Sequence, residues 1–220
     1  MAHVSDPMFL ALHASKLRGF AETDTIGALL GLHRSEIAPH LDELQTAGLV
    51  MYRDGRLSGW TLTAEGRAEH IVLLSKEVEE MGHHGDFVAL YDLFMDLNPP
   101  LLRACTDWQV RHLANNVPND HSDAAYDARI VGELQSINSR VRPICSELSA
   151  LAARFRGYRP RLDQAMDHLL TGNGDWFAKP LIDSFHTVWM ELHEDLLMSL
   201  RLDRSGMPGS NEARPERAPM

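Results

Sequence analysis

Cysteine is scarce in this chain of 220 residues. Its two cysteines, Cys105 and Cys145, lie far apart and form no C-x-x-C motif, which argues against a disulfide framework and against a cysteine zinc site. No apolar run approaches the roughly 18 residues that a membrane-spanning helix needs. The first residues also lack the basic and then apolar order of a signal peptide. We therefore expect a cytoplasmic protein with no membrane partner.

Positive charge is scarce as well, because 21 Lys and Arg residues stand against 31 Asp and Glu residues, a net charge of −10. Such a charge disfavours nonspecific attraction to anionic membranes. The sequence has no nucleophile elbow, no phosphate-binding glycine loop and no dinucleotide fingerprint. We therefore expect no enzyme activity, no catalytic residue and no cofactor.

A helix-turn-helix pattern is present near the amino terminus. Residues 26–30 predict a short apolar helix, residues 31–34 a turn, and Ser35 is a residue that can cap a second helix. The second helix has one buried stripe at i, i+4 and i+7, formed by Ile37, Leu41 and Leu44. Gly48 is the residue type that ends a helix and turns the chain into a strand.

A β-hairpin is predicted directly after this second helix. Residues 49–52 and 60–62 are typical of two short strands, and the polar segment 53–59 between them contains glycine. Thr63 then opens another helix, over residues 64–81, whose apolar positions include Ile71 and Val72. A helix beside a hairpin with basic residues at its tip is a common arrangement for binding a DNA groove. The leading hypothesis is therefore a DNA-binding transcription regulator that binds double-stranded DNA.

The outer face of the second helix would then contact DNA. The residues outside the apolar stripe, on or near that face, are Ser35, Glu36, Pro39, His40 and Glu43. We expect Pro39 around the first turn, where its missing N–H costs little.

Two segments resemble the bacterial winged-helix regulators of the MarR and PadR type. They are residues 41–50, L-D-E-L-Q-T-A-G-L-V, and residues 59–67, G-W-T-L-T-A-E-G-R, with Gly55-Arg56 between them. In those families an L-T-x-x-G motif, here residues 62–66, follows the wing. The resemblance covers roughly residues 8–75 and implies a winged helix-turn-helix. It also implies that Ser35, Glu36, Pro39 and His40 lie at the major groove, and that Arg53 and Arg56 lie at the DNA backbone or minor groove.

The charge of this region favours a second interpretation. Residues 1–75 have six basic and nine acidic side chains, a formal charge of −3, whereas DNA affinity depends largely on neutralising phosphates. A monomer should therefore bind DNA weakly, and a homodimer would double the contribution of Arg34, Arg53 and Arg56. The alternative is a winged helix that contacts a protein, which an acidic surface would suit.

We expect three regions in a mainly α protein with one small hairpin. They are a winged helix-turn-helix domain at residues 1–80, an all-helical dimerisation and effector domain at residues 81–203, and a disordered tail at residues 204–220. The helical domain contains a long apolar seam at spacings of four and three, formed by Ile130, Leu134, Ile137, Val141, Ile144, Leu148 and Leu151. This seam is a candidate surface for a symmetric homodimer. Pro143 should kink that helix or divide it in two.

Two groups of aromatic and histidine residues are candidates for a small-molecule effector site. On a helix that Asn98 would cap, Cys105, Trp108 and His112 would share one face, although core packing is the favoured explanation of that face. A last helix, at residues 181–202, would present either a pocket wall or a packed interface, formed by His186, Trp189, Met190 and His193. The two histidines are about 10 Å apart along the helix axis, too far to share a metal ion easily. Arg103 could pair with a carboxylate or phosphate of the ligand.

A third group, residues 119–123 with Asp127, is rich in oxygen ligands but lacks the glycine and closing glutamate of a calcium-binding loop. Helix capping explains it without a metal.

Residues 102–109, 119–121 and 186–197 resemble the helical tail of uncharacterised actinobacterial winged-helix proteins and a tail of pyruvate phosphate dikinase-like proteins. That resemblance implies an alternative function, in which the chain senses a metabolite or docks on a phosphoenolpyruvate-utilising enzyme without binding DNA.

Overall fold

The computed structural model describes residues 2–112 and 117–202, except for the side chain of His112. It is mainly helical, with amino-terminal helices, a β-hairpin and then a helical carboxy-terminal part, as the sequence predicts. The amino-terminal elements are α1 (Pro7–Arg18), α2 (Thr23–Leu30), α3 (Arg34–Thr46), β1 (Val50–Arg53), β2 (Gly59–Leu62) and α4 (Ala64–Met81).

The hairpin is antiparallel, and its register pairs Val50 with Leu62 and Arg53 with Gly59. On its other edge β2 exchanges two backbone hydrogen bonds with Ala21, with N···O distances of 3.2 and 2.8 Å. The predicted stripe of α3 is buried against α1 and α2 in a core that includes Ile26, Ile37, Leu41, Leu44, Val50, Trp60 and Leu62. The order α2, α3, hairpin, α4 is therefore compatible with a winged helix-turn-helix, in which the hairpin is the wing.

The wing is joined to α4 by a close backbone contact. The Thr63 hydroxyl caps α4 by accepting a hydrogen bond from the Gly66 N–H at 2.9 Å. A Cβ atom at Gly66 would lie 1.8 Å from the Leu49 carbonyl oxygen. Only glycine therefore fits at this position, which is the last residue of the L-T-x-x-G motif.

The start of α3 differs from the prediction. The helix begins at Arg34 with His33 as its cap residue, and Ser35 lies inside the first turn. The reason is that the Glu36 carboxylate accepts a hydrogen bond from the His33 N–H at 2.8 Å, which fixes the cap earlier in the chain. Pro39 accordingly lies within the helix, beyond its first turn. Its missing N–H leaves the carbonyl of Ser35 without a helical donor, and the exposed position of Ser35 allows water to replace it.

The first helix was not predicted. Asp6 caps α1, since its carboxylate accepts hydrogen bonds from the N–H groups of Met8 and Phe9. Both polar and apolar residues of α1 are buried, including Leu12, His13 and Ser15. The helix therefore has no single apolar stripe, although the Asp6-Pro7 pair is a helix-entry signal.

The carboxy-terminal part continues the chain from α4. Its elements are α5 (His84–Met95), α6 (Asn98–Gln109), β3 (Val110–His112), β4 (Val117–Pro118), α7 (Ala124–Leu151), a 3₁₀ helix (Ala153–Gly157), α8 (Tyr158–Leu170), α9 (Asp175–Ala178) and α10 (Phe185–Leu200). The long helix α7 packs against α5, α6, α8 and the 3₁₀ helix.

Several details of this part correct the predictions. Helix α6 ends at Gln109 and has Asn98 as its first residue, so His112 lies in the small β3–β4 hairpin and not on the helix face of Cys105. Helix α7 is continuous through Pro143 and is not divided. The last helix starts at Phe185, after Leu181, whose positive φ of 68° is incompatible with a helix.

The apolar seam of α7 is buried by other elements of the same chain. Ile130, Leu134, Val141 and Leu148 each have 0% of their surface exposed, and they belong to the core of the carboxy-terminal part. This apolar surface is therefore not free to join a second copy, which corrects the surface that we predicted for a homodimer. The predicted tail, residues 204–220, lies outside the described residues.

The buried face of α4 differs in part from the prediction, since Leu74 and Met81 are buried but two other apolar positions are not. Ile71 and Val72 are 65% and 61% exposed, whereas His70 and Glu77 are buried. The buried polar side chains of α4 therefore have partners elsewhere in the chain.

Candidate functional site

All seven residues predicted to contact DNA lie on α3 or on the wing. Six of them are exposed, namely Arg34, Ser35, Glu36, Pro39, Arg53 and Arg56. His40 is half-buried, and its Nδ1 is buried with no hydrogen-bond partner among the described residues. The amino-terminal half of α3 is thus accessible to a macromolecule.

Acidic side chains lie among these arginines. Arg34 forms an ion pair with Asp24, with an Nη1–Oδ2 distance of 3.0 Å, and both side chains are mostly exposed. At the tip of the wing the Ser58 hydroxyl donates to the Asp54 carboxylate at 2.8 Å. The positive charge of this face is therefore partly compensated by its own carboxylates.

A buried polar network joins the winged helix to the carboxy-terminal part. His13 of α1 donates from Nε2 to Asp195 of α10 at 3.1 Å, and its Nδ1 lies 2.9 Å from Nε2 of His70 in α4. The Arg154 guanidinium and the Tyr158 hydroxyl also donate to the Asp195 carboxylate. Four elements of the two parts, α1, the 3₁₀ helix, α8 and α10, therefore meet at the Asp195 carboxylate, and His70 joins α4 to the network through His13.

Arg154 extends this network to α4. Its Nε lies 3.1 Å from Oε1 of Glu77, and the Ser5 hydroxyl donates to the same Glu77 oxygen at 2.8 Å. Because both Arg154 and Glu77 are buried, their opposite charges compensate for the loss of solvent.

Burial and neighbouring charges shift several pKa values in this network. Burial lowers the pKa of His70 to about 3, helped by the charges of His13 and Lys16, so His70 is uncharged near neutral pH. Burial alone would raise the pKa of Asp195, but Arg154 and His13 outweigh it and hold that pKa well below its usual value. Asp195 is therefore an anion in the folded protein.

A second, largely buried cluster contains two arginines and two carboxylates. Arg18 of α1 contacts Asp183 at 2.8 Å and Glu191 at 2.9 Å, and Arg161 of α8 contacts the same two carboxylates at 2.8 and 2.5 Å. Burial would raise the pKa of Asp183, but the two arginines lower it to about 2. This cluster is a second ionic link between the two parts.

A groove of about 840 Å³ lies beside this second cluster. It is bordered by the end of α1, the tip of the wing, α6 and α10. Its lining includes Arg18 and Glu191 of the cluster, together with Leu57, Leu102 and Met190. The groove is therefore shared between the winged helix and the carboxy-terminal part.

The six residues predicted to bind an effector are not brought together. His186 and His193 line the groove, and Trp108 lines a different cavity of about 920 Å³. Trp189 lines neither of these two, since it is fully buried with its ring 4.4 Å from that of Phe94. Trp189 is therefore a core residue and not part of a pocket wall.

The other two predicted residues also lie apart from the groove lining. Arg103 is exposed on α6. Cys105 is buried, and burial raises the pKa of its thiol to about 11. The thiol is therefore neutral, as expected for packing.

The segment around Asp127 forms a hydrogen-bonded helix entry. Asp123 caps α7 by accepting from the N–H groups of Ala125 and Tyr126. Asp127 accepts from the Asn119 amide and pairs with His121, both at 2.9 Å.

Within residues 2–112 and 117–202, no cluster of three or more His, Cys, Asp or Glu side chains is placed to hold a metal ion. No helix in the same residues is long and apolar enough to cross a membrane.

Comparison of the chain with protein-family models, curated proteins and solved structures gives no match.

The two buried polar clusters were not predicted from the sequence. Their members are far apart along the chain, and each resembles an ordinary surface charge. The one available signal was the pair His70 and Glu77, which lie two turns apart on one face of a predicted helix.

Proposed function

We propose that this chain is a DNA-binding transcription regulator that binds the major groove with α3 and the flanking backbone with its wing. The observation behind this proposal is the exposed amino-terminal half of α3 next to an antiparallel wing with exposed arginines. A DNA major groove is wide enough to admit one α-helix. An exposed helix beside a wing is the arrangement that uses this space.

The residues of this face divide into two roles. Ser35, Glu36, Pro39 and His40 are at positions that contact base edges and so affect sequence preference. Arg34, Arg53 and Arg56 contact phosphates and affect affinity for every sequence. The ion pair of Arg34 with Asp24 is exposed, and such pairs contribute only about 0–1 kcal/mol, so a phosphate can displace the carboxylate.

The proposal includes a homodimer, because a single winged helix with a formal charge of −3 has little attraction for DNA. Two copies would present two α3 helices to half-sites about 34 Å apart. The dimer contact must use a surface other than the α7 seam, which is buried. Light scattering at about tens of micromolar protein tests this, and a monomer at that concentration would contradict it.

Fluorescence anisotropy with a duplex from the region upstream of the coding sequence, and with a scrambled duplex, tests DNA binding. We expect salt-dependent binding that Arg56→Ala weakens for both duplexes, with the salt slope reduced by about one phosphate contact. Arg140→Ala is a matched control, since Arg140 is exposed on α7, away from the wing. Absence of salt-dependent binding to any duplex at low ionic strength would overturn the proposal.

A second candidate function is binding of a basic protein partner by the same face. The observation that favours it is the number of exposed carboxylates on α3, namely Glu36, Asp42 and Glu43. Glu43→Lys distinguishes the two functions. It should strengthen DNA binding if DNA is the partner, and it should abolish binding of a cationic peptide such as oligolysine if a basic protein is.

A further inference from the structure

A strongly basic stretch of this acidic chain lies where the 3₁₀ helix continues into α8. Residues 153–161, A-R-F-R-G-Y-R-P-R, contain four arginines and no carboxylate. Arg154 and Arg161 are buried and contact the carboxylates of the two ionic clusters. Arg156 and Arg159 are exposed. The ionic clusters therefore account for the two buried arginines and leave the two exposed ones unexplained.

The exposed arginines line a pocket of about 370 Å³, which we call the basic pocket. The remainder of its lining is Ser146, Ser149, Pro160 and Asp163. The Ser146 and Ser149 hydroxyls donate to backbone carbonyls within α7, and Ser146 also accepts from Arg159 Nη1 at 3.0 Å. The basic pocket therefore offers guanidinium donors to a ligand, which suit an anion.

The arginines at the basic pocket are only partly neutralised. The Asp163 carboxylate lies 3.4 Å from Arg142 Nε and 3.8 Å from Arg159 Nε. Arg156 has no carboxylate partner within the described part of the chain. Three arginines thus share one carboxylate at this place, although the chain as a whole carries a net charge of −10.

The basic pocket adjoins the helix-turn-helix. Gly157, which follows Arg156, packs against the carboxyl end of α2, because a Cβ atom on this glycine would lie 2.7 Å from the Leu29 carbonyl oxygen. Helix α2 leads directly into the turn before α3. In a helix-turn-helix the first helix crosses the DNA backbone, while the second lies in the major groove. The exposed arginines are therefore next to the helix that would cross the backbone.

We propose that Arg156 and Arg159 bind DNA phosphates beside the groove that α3 occupies, so that the carboxy-terminal part takes part in DNA binding. This inference rests on the proposed function and adds to it. It supplies phosphate contacts to a winged helix whose own formal charge is −3. The contact of Arg159 with Asp163 is long and partly exposed, so the carboxylate competes weakly with a phosphate.

Fluorescence anisotropy with the upstream duplex, over a range of salt concentrations, tests this inference. Arg156→Ala and Arg159→Ala should each weaken DNA binding several-fold and reduce the salt slope by about one phosphate contact. Arg140→Ala is the matched control and should change neither. Like Arg156, Arg140 is exposed and has no ion pair among the described residues, but the helical repeat places it on the opposite side of α7 from Ser149.

A second variant of the basic pocket should act in the opposite direction. Asp163→Asn keeps an oxygen that can accept from the Asn138 amide, now 3.0 Å from Oδ1, but it removes the negative charge beside Arg142 and Arg159. We expect DNA binding to become several-fold tighter. Asp92→Asn, at an exposed position on α5, makes the same change of net charge and should leave affinity unchanged. A purely structural role of the basic pocket predicts no such gain.

Failure of this inference can be distinguished from failure of the proposed function. If the native chain binds no duplex at low ionic strength, the proposed function fails and this inference fails with it. If Arg56→Ala weakens DNA binding while Arg156→Ala and Arg159→Ala act no more than Arg140→Ala, the proposed function stands and this inference is overturned. Circular dichroism confirms in each case that the variant is folded.

Calorimetry with pyrophosphate in the absence of DNA tests whether the basic pocket holds a small phosphate instead. Tight pyrophosphate binding that Arg156→Ala abolishes, together with unchanged DNA affinity of that variant, would overturn the inference. Weaker DNA binding in both arginine variants and tighter binding in Asp163→Asn, with both controls unchanged, would support it.

Discussion

His13 and Asp195 are joined by a buried hydrogen bond of 3.1 Å, although they belong to the first and last helices of the described chain. Asp195 also accepts from Arg154 and Tyr158, so its charge is compensated on several sides. The winged helix is therefore attached to the carboxy-terminal part by oriented ionic contacts as well as by apolar packing.

Asp195→Asn should destabilise the protein strongly. It leaves the Arg154 guanidinium buried beside a neutral amide, and removing one partner of a buried ion pair typically costs about 3–5 kcal/mol. Urea unfolding measures this. Asp92→Asn, at an exposed position on α5, is the control and should change stability by less than about 0.5 kcal/mol. Equal effects of the two substitutions would show that the network contributes little.

The stability of the protein should fall as the pH decreases from about 6.5 towards 3. The pKa of His70 is lowered to about 3, so the unfolded chain takes up a proton first and is favoured across this interval. Below about pH 4 the carboxylates with lowered pKa values, Asp183 and Asp195, add to the loss. Urea midpoints between pH 8 and pH 4 measure the trend.

His70→Gln is the control for that pH dependence. It keeps a polar side chain next to His13 but cannot titrate. We expect lower stability than the native chain at pH 8 and a smaller fall between pH 6.5 and pH 4. An unchanged slope would assign the pH dependence to other groups.

The second ion cluster should be as important as the first. Arg161→Leu leaves the carboxylates of Asp183 and Glu191 short of one positive partner in a buried site, and we expect a loss of about 3 kcal/mol or more. Arg159→Leu removes a half-exposed arginine whose contact to Asp163 is 3.8 Å, and should cost less than about 1 kcal/mol. Similar losses in the two variants would contradict this ranking.

The winged helix could be predicted because its information is local. Spacing of Ile37, Leu41 and Leu44 defined the buried face of α3, and glycine and threonine positions defined the wing. The attachment of α1 to α10 could not be predicted in this way. It depends on pairs such as His13 with Asp195, for which no local pattern specifies a partner. The same limit explains Trp189, which shares α10 with His186 and His193 but lies in the core, because burial depends on where α5 packs.

Gly66 offers a test of the wing itself. A methyl group there would clash with the Leu49 carbonyl, since its Cβ would lie 1.8 Å from that oxygen, so Gly66→Ala must separate α4 from β1. We expect a clear loss of stability and, if the wing contacts DNA, weaker DNA binding. Gly132→Ala is the matched control, because Gly132 lies within α7 and a Cβ atom there would meet no neighbour within 4 Å among the described residues. Alanine should stabilise that helix by about 0.5–1 kcal/mol. A stable Gly66→Ala protein with unchanged DNA binding would show that α4 and the wing are not in such close contact.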